Sequence, residues 1–383
     1  MSLYLFVLLG CGWWFFSLSR RWDLRALPPF DRVVAESAPL TTLPRVSIVV
    51  PARNEELRVE ETIRRLLAQQ QIDLQLIVVN DRSTDRTGEI LERLAEEDDR
   101  LTLVQIEELP SDWLGKCHAC ARAAERATGD WILFTDADTW LAPDLLARAV
   151  RVAEARAASL LCLFPNQQIR GVIGRAAVLA FSLGFVAFAA RANRDRKRAP
   201  VGIGAFNLVR RSAYESCGGY KALKLEVIDD MKLGLLIQRD GGRLRCYGAP
   251  DDLEIDWARS AGGLTQALEK NFFAMVQFSY PLSFLITLLL SSMWALGMIA
   301  PFRNDWAGWF AFSGFLSTAI PALPLARHSG WGLLSALMTP FVYLVIPITL
   351  ARSTWATWRQ GGVRWRETHY PIKLLRKHQV RLF

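Results

Sequence analysis

Asp136 and Asp138, in the stretch FTDADTW, stand one residue apart directly after the apolar run Trp131-Ile132-Leu133-Phe134. On an extended chain, side chains at i and i+2 point the same way. The two carboxylates are therefore expected to lie close and repel unless a cation sits between them. All-oxygen ligands suit a hard divalent ion, Mg2+ or Mn2+, which completes its shell with water and substrate phosphates. Further polar candidates are Asn54 and Glu55 in PARNEE and Asp81 in NDRSTDRTG. Plainer roles compete: Thr84 and Asp85 can cap a helix starting near Thr87, and Asn54 can cap another. Acids at 229 and 230 also suit the positive end of a helix, a role that covers Asp229 better than Asp230. Capping does not account for Asp81 at a strand end, nor for the 136/138 pair.

The elements that must position these groups alternate. VSIVVP (46–51), LQLIVV (74–79), LTLVQI (101–106) and WILFT (131–135) are short β-branched or apolar runs that predict strands. Between them Val59, Ile63, Leu66 and Leu67, then Ile90, Leu91 and Leu94, mark one face each of two helices. The alanine-rich stretch CHACARAAERATG predicts a third, stopped at Gly129. Strand, helix, strand, helix implies an α/β domain with a parallel sheet, and ligands in such sheets gather beyond the carboxyl ends of the strands. PARNEE, NDRSTDRTG and DAD each follow a strand, so Asn54, Glu55, Asp81, Asp136 and Asp138 should converge on one edge.

Composition places something else at the two ends. Of 383 residues 51% are hydrophobic and 14 are tryptophan, against an ordinary 22% charged. The run LYLFVLLGCGWWFFSL (3–18) precedes Arg20, Arg21 and Arg25. It reads as a membrane anchor over residues 1–20 rather than a cleaved leader, because no basic residue precedes it and arginines, not a small-residue cleavage site, follow. Residues 281–302, 306–326 and 331–351 are long uncharged stretches, each matching the requirement of about 20 residues per span. They define a membrane region over 281–351 with two or three spans. Pro321, Pro324, Pro340 and Pro347 allow one of these to be broken or re-entrant. The tail 352–383 carries Arg352, Arg359, Arg364, Arg366, Lys373, Arg376, Lys377 and Arg381 against Glu367, which predicts a cytoplasmic side for it and for the segment after Arg20. A net charge of +8, with basic residues following apolar segments, points to an anionic lipid surface rather than nucleic acid. Residues 172–190 suit an interfacial helix, a core helix or a further span, and residues 265–280 an interfacial amphipathic helix.

Smaller signals remain. Lys116, in a loop ahead of a helix, is placed to touch a phosphate. Cys117, His118 and Cys120 have half the pattern of a zinc site, but no second pair follows, which favours packing. No disulfides are expected in a cytoplasmic domain.

The pieces VSIVVPARNEE, VVNDRSTDRTGEI, GDWILFTDADTWLAPDLL, GAFNLVRRSAYESCGGY and EVIDDMKLGLLIQRDGGRLR, in this order over residues 44–250, resemble the family 2 glycosyltransferases. The resemblance implies a GT-A (Rossmann-like) nucleotide-sugar-binding domain over residues 44–255. It also implies that Pro51 and Glu55 help hold the nucleotide, Asp81 binds its base, and Asp136 with Asp138 holds the metal on the diphosphate. Asp230 matches the family's catalytic base, preceded here by Asp229 where Glu is usual. One N-terminal anchor with several C-terminal spans resembles the branch that glycosylates lipids, including hopene-associated and carotenoid glycosyltransferases. Lys270-Asn271 stands where processive relatives carry Arg-Trp of a Q-x-x-R-W motif, which argues against a processive synthase.

The expectation is an inverting enzyme moving one sugar from a nucleotide-diphosphate sugar, a UDP-sugar first, to a hopanoid, carotenoid or similar lipid at the cytoplasmic face of the plasma membrane. A polyprenyl phosphate or glycerolipid acceptor is the alternative. A nucleotidyltransferase would need a glycine- and lysine-rich phosphate loop that PARNEE is not. A non-catalytic membrane scaffold would not need Asp81, Asp136, Asp138 and Asp230 together.

Overall fold

The computed structural model describes residues 2–42, 44–256, 260–365 and 368–381. The chain divides into two units, one of Leu27–Gln167, Arg191–Asp256 and His378–Phe383, the other of Met1–Ala26, Gln168–Ala190 and Trp257–Lys377.

The first unit is built on strands β1 (Val46–Ala52), β2 (Leu74–Asp81), β3 (Leu101–Ile106), β4 (Trp131–Phe134), β5 (Thr139–Leu141), β6 (Leu160–Phe164), β7 (Asn166–Gln167), β8 (Asn207–Arg210), β9 (Leu244–Gly248) and β10 (Leu253–Ile255). Seven of them form one sheet in the order β3-β2-β1-β4-β8-β6-β9, and β5-β10-β7 form a smaller one. β1 and β2 are buried along nearly their whole length, which is why they read as continuous apolar runs rather than as alternating ones. The helices between them bury one stripe. In Val59–Leu67, Val59, Ile63 and Leu66 are fully covered. Glu60 and Glu61 on its outer face pair with Arg64 and Arg65 four residues on. The helix Gly115–Ala124 presents Cys117, Ala119, Cys120, Ala121 and Ala123 inward, small residues that let it lie close on the sheet.

The sheet is mixed where the alternation of elements implies a parallel one. β1 pairs in parallel with β2 and β4, but β8 runs antiparallel to both β4 and β6. Asn207 at the start of β8 lies opposite Phe134 at the end of β4, so the chain enters β8 from the carboxyl edge. The incoming loop, residues 201–206, therefore lies over that edge. It is pressed against the helix Asp229–Arg239 by two glycines: a Cβ on Gly234 would come within 2.0 Å of the Val201 carbonyl oxygen, and one on Gly202 within 2.0 Å of the Asp230 carbonyl oxygen.

The second unit is helical. Helices Leu3–Asp23, Gly171–Asn193, Tyr280–Ile299 with its extension to Arg303, and Trp306–Ser317 with Ala319–His328 supply four stretches long and apolar enough to cross a membrane. Leu333–Val342 and Val345–Gln360 form a further apolar pair bent by 52°, either a broken span or a re-entrant loop. The break falls between Pro340 and Pro347, neither of which can donate a helical hydrogen bond. The indole N–H of Trp294 donates to the carbonyls of Pro340, which also accepts the Tyr343 N–H, and of Phe341, both at 3.2 Å. Phe6, Leu9 and Trp13 pack with Ala311, Phe315 and Tyr343, and Gly10 and Gly314 let two backbones touch. Leu285, Leu288 and Leu289 of Tyr280–Ile299 stay more than half exposed, an apolar face of the kind that lipid covers. The segment read as an interfacial helix at 265–280 is a helix over Ala261–Met275. Its Leu264, Leu268 and Phe272 pack with Ile169, Ala177 and Leu350.

Gly234→Ala tests the close approach that shapes the edge. Alanine is the better helix former by about 1 kcal/mol, whereas overpacking against fixed backbone costs about 1–3 kcal/mol. We expect a lower denaturation midpoint for the variant. An equal or higher midpoint would show that the 201–206 loop can move aside.

Candidate active site

Parallel pairing carries the ends of β1, β2 and β4 to one edge, and the loops that follow are tied together by side chains. Asn54, with a left-handed φ of 55°, accepts the Thr84 N–H at 2.8 Å, and Ser83 Oγ accepts the Asn54 N–H at 3.1 Å. Thr87 Oγ1 accepts the Glu55 N–H at 2.8 Å, and Asp85 accepts the N–H groups of Glu56 and Thr87. Asn54 thus ties PARNEE to the next loop instead of capping a helix of its own. Pro51 is half-buried on β1, in register with Val79.

Asp136 and Asp138 do not extend β4. They sit in the tight turn between β4 and β5: pairing with β1 ends at Val49 opposite Phe134, while β1 itself runs on beside β2 to Ala52. The Asp138 carboxyl is pushed up to about 7 by burial, with the charges of Asp136 and Glu55 adding to the effect and Arg58 opposing it. Arg58 is itself held by Asp256 in a forked pair at 3.1 and 3.2 Å.

Lys116 is the second residue of the helix Gly115–Ala124 rather than part of the preceding loop. Its ammonium lies 2.7 Å from the Asp136 carboxylate and 4.0 Å from Asp229. Burial would lower its pKa, but the carboxylates of Asp136 and Asp229 more than reverse that and hold it charged. Asp229 also accepts the Tyr220 O–H at 3.0 Å and is almost fully covered, so it does more than end a helix. Asp230 is bonded by main chain: its two oxygens accept the N–H groups of Gly204 at 3.0 Å and Met231 at 2.7 Å. Burial raises the Asp230 carboxyl to about 6, Asp229 adding and Lys116 opposing.

Gly204 joins the two halves. Its N–H reaches Asp230, while a Cβ at this position would stand 2.7 Å from Asp136 Oδ2 and 3.2 Å from Lys116 Nζ. Glu55, Asp136, Asp138, Lys116, Asp229 and Asp230 therefore form one constellation. Asp81 adjoins it through Gly115, whose added Cβ would lie 2.6 Å from Asp81 Oδ2, and is held in a forked pair with Arg82 at 2.8 and 3.1 Å. Sequence reasoning missed Gly204, Tyr220 and Arg82. Of these only Gly204 left a signal, as the glycine before the apolar start of β8.

Among the described residues no group of three or more His, Cys, Asp or Glu side chains is arranged to hold a metal by protein ligands alone. Cys117, His118 and Cys120 follow suit: the Cys117 thiol donates to the Glu226 carbonyl, Cys120 is buried, and His118 stacks edge-on with Trp113. Two carboxylates one residue apart in a turn, one of them destabilised as an anion by burial and by neighbouring charge, nonetheless fit a hard cation whose other ligands are water and phosphate.

Residues 47–218 match the family described as Glycosyl transferase family 2. The 4,4'-diaponeurosporenoate glycosyltransferases of Staphylococcus aureus strains USA300 and NCTC 8325 are 28% identical over 194 residues, 49% of this chain and 50% of theirs. The chain thus spans about half the length of the curated relatives it matches. A solved mannosyltransferase, PcManGT from Pyrobaculum calidifontis in complex with GDP-Man and Mn2+, superposes over 93% of this chain and 99% of its own, with a TM-score of 0.57 and 21% identity. A mixed sheet with loops gathered at its carboxyl edge and this structural likeness show the GT-A fold, within which residues 47–218, from β1 to past β8, match glycosyl transferase family 2.

Proposed function

We propose that the protein is an inverting, metal-dependent, membrane-bound glycosyltransferase that moves one sugar from a nucleotide-diphosphate sugar to a lipid hydroxyl at the cytoplasmic membrane face. The observation that carries this reading is the Lys116–Asp136 pair at 2.7 Å joined through Gly204 to the carboxylate of Asp230. That arrangement supports reading Lys116 as a diphosphate-binding cation, Asp136 with Asp138 as a metal-suited pair and Asp230 as a base. The solved neighbour with GDP-Man and Mn2+ supports a nucleotide-sugar donor and a divalent ion. The relatives named 4,4'-diaponeurosporenoate glycosyltransferase support an apolar acceptor of the carotenoid kind, and the long apolar helices a bilayer location.

In this mechanism Asp136 and Asp138 hold Mg2+ or Mn2+, which when bound acts as a Lewis acid on the leaving diphosphate. Lys116 turns from Asp136 toward the diphosphate, and Pro51, Glu55 and Asp81 hold the nucleoside side. The Asp230 carboxylate takes the proton of the acceptor hydroxyl as its oxygen bonds to the anomeric carbon. The bond to the diphosphate breaks on the opposite face, which inverts that carbon. Burial makes Asp230 a stronger base than an ordinary aspartate, which brings its basicity nearer to that of the hydroxyl it must deprotonate.

Titration calorimetry with UDP and GDP, each with and without Mn2+, tests the donor site. One nucleotide should bind in a metal-dependent way, and Asp138→Asn should abolish the metal dependence; no binding of either under any condition would overturn the reading. The same substitution removes a repelling charge from the metal-free protein. We expect Asp138→Asn to raise its melting temperature in EDTA by a few degrees, at about 2–4 °C per kcal/mol for a domain of this size.

Asp230→Asn should lower kcat by about 10²–10⁴ while nucleotide affinity stays within a few-fold. For the wild type the base works only when ionised, so kcat should fall as pH drops below about 6 and level off above it. A flat profile from pH 5 to 8 would remove Asp230 from the role of base.

A further inference from the structure

Lys232 lies two residues beyond Asp230 on the same helix and is fully covered, with 0% of its surface exposed. Its ammonium is 4.0 Å from the Glu226 carboxylate and donates a hydrogen bond to the carbonyl of Val380, 148 residues away in sequence. The N–H of Val380 in turn donates to Glu226. At the end of the same helix the Arg239 guanidinium donates to the carbonyl of Arg381 at 2.5 Å. Residues 380 and 381 are thus gripped by the main-chain N–H and carbonyl of Val380 and by the carbonyl of Arg381.

Three features make this more than a packed tail. All three contacts use main-chain atoms of the segment, as in recognition of an extended peptide by its backbone. The charged residues that make them belong to the catalytic helix or to the turn leading into it. Glu226 stands three residues before Asp229, and its carbonyl accepts the Cys117 thiol from the helix that carries Lys116. A buried lysine and glutamate also depend on the segment. Removing it leaves an ion pair 4.0 Å apart with neither member fully hydrogen-bonded, a costly state for covered charges.

We infer that residues 378–381 are a strap that fixes the first turn of the helix Asp229–Arg239, and that Lys232 and Glu226 are positioning residues which, through it, set the place of Asp230. The inference rests on the proposed role of Asp230 as base. With the strap in place, Asp230 is constrained from two directions, by Gly204 across the active site and by the strap's hold on its own helix. Without it the first turn can shift while the carboxylates on β4's side stay where they are. A displacement of about 1 Å at a catalytic group is enough to cost roughly 10²-fold in rate.

The test uses the full-length detergent-solubilised protein, a deletion from His378 onward, and the double variant Lys232→Met/Glu226→Gln, which keeps side-chain volume if the deletion does not fold. Hydrogen exchange of amides 226–239 should speed up at least roughly 10-fold in both variants. Unchanged protection would overturn the strap whatever the activity. In turnover assays kcat should fall roughly 10- to 100-fold with donor KM within twofold. A synthetic peptide of residues 372–381 should restore much of the loss in the deletion. A loss confined to KM, or none at all, would also overturn the inference. If the wild type transfers no sugar the proposed function fails, while the exchange measurement still decides whether the strap holds the helix.

Discussion

Like charges held together against their repulsion set the terms for the sheet edge. Glu55, Asp136, Asp138, Asp229 and Asp230 come from three separate stretches of chain, and Lys116 supplies positive charge in their midst. Side chains left to themselves would swing such carboxylates toward water. Here Asp229 is tied by a tyrosine hydroxyl, Asp230 by two backbone N–H groups, and Asp136 and Asp138 sit in a tight turn that allows little freedom. The arrangement spends folding stability on clustered like charge, which is what the proposed donor site requires if a counter-charge is to arrive with the ligand.

Rigidity on this scale follows from close backbone approach rather than from large side chains. Gly234 and Gly202 let the 201–206 loop and the helix Asp229–Arg239 touch main chain to main chain, and Gly204 and Gly115 bring the same closeness to Asp136 and Asp81. A Cβ at any of these four positions would occupy space taken by backbone or by a functional oxygen. The antiparallel entry of β8 is the reason the loop is there at all: a parallel strand in its place would have started at the opposite edge.

The helical unit solves a different problem, that of main-chain polarity without water. Pro340 and Pro347 interrupt a span-length apolar stretch, and the Trp294 indole donates to the carbonyls of Pro340 and Phe341 beside the break. Ser17 with Ser317 and Ser283 with Thr354 make hydrogen bonds between helices, at 2.7 and 2.5 Å, that pair polar atoms away from solvent.

What the sequence determined by itself was whatever depends on short-range pattern. The runs at 46, 74, 101 and 131 became β1 to β4 within a residue or two; for β1, β2 and β4 burial on both faces demands an unbroken apolar run, while β3 is a partly exposed edge strand. The polar stretches after β1, β2 and β4 arrived at one edge because parallel strands must end on the same side. Asp81, Asp136, Asp138 and Asp230 were legible as candidates for that reason and through their family resemblance. What only the tertiary structure decided were the contacts made by residues with no local signature. The direction of β8 depends on how a long excursion through the helix Gly171–Asn193 returns. The placing of Asp136 and Asp138 in a turn depends on where β1 leaves β4. The pairing of Lys116 with Asp136, the bridge at Gly204 and the grip of Lys232 on Val380 join positions 20 to 148 residues apart. No periodicity reports such pairs, because they exist only once the sheet has brought distant loops to one edge.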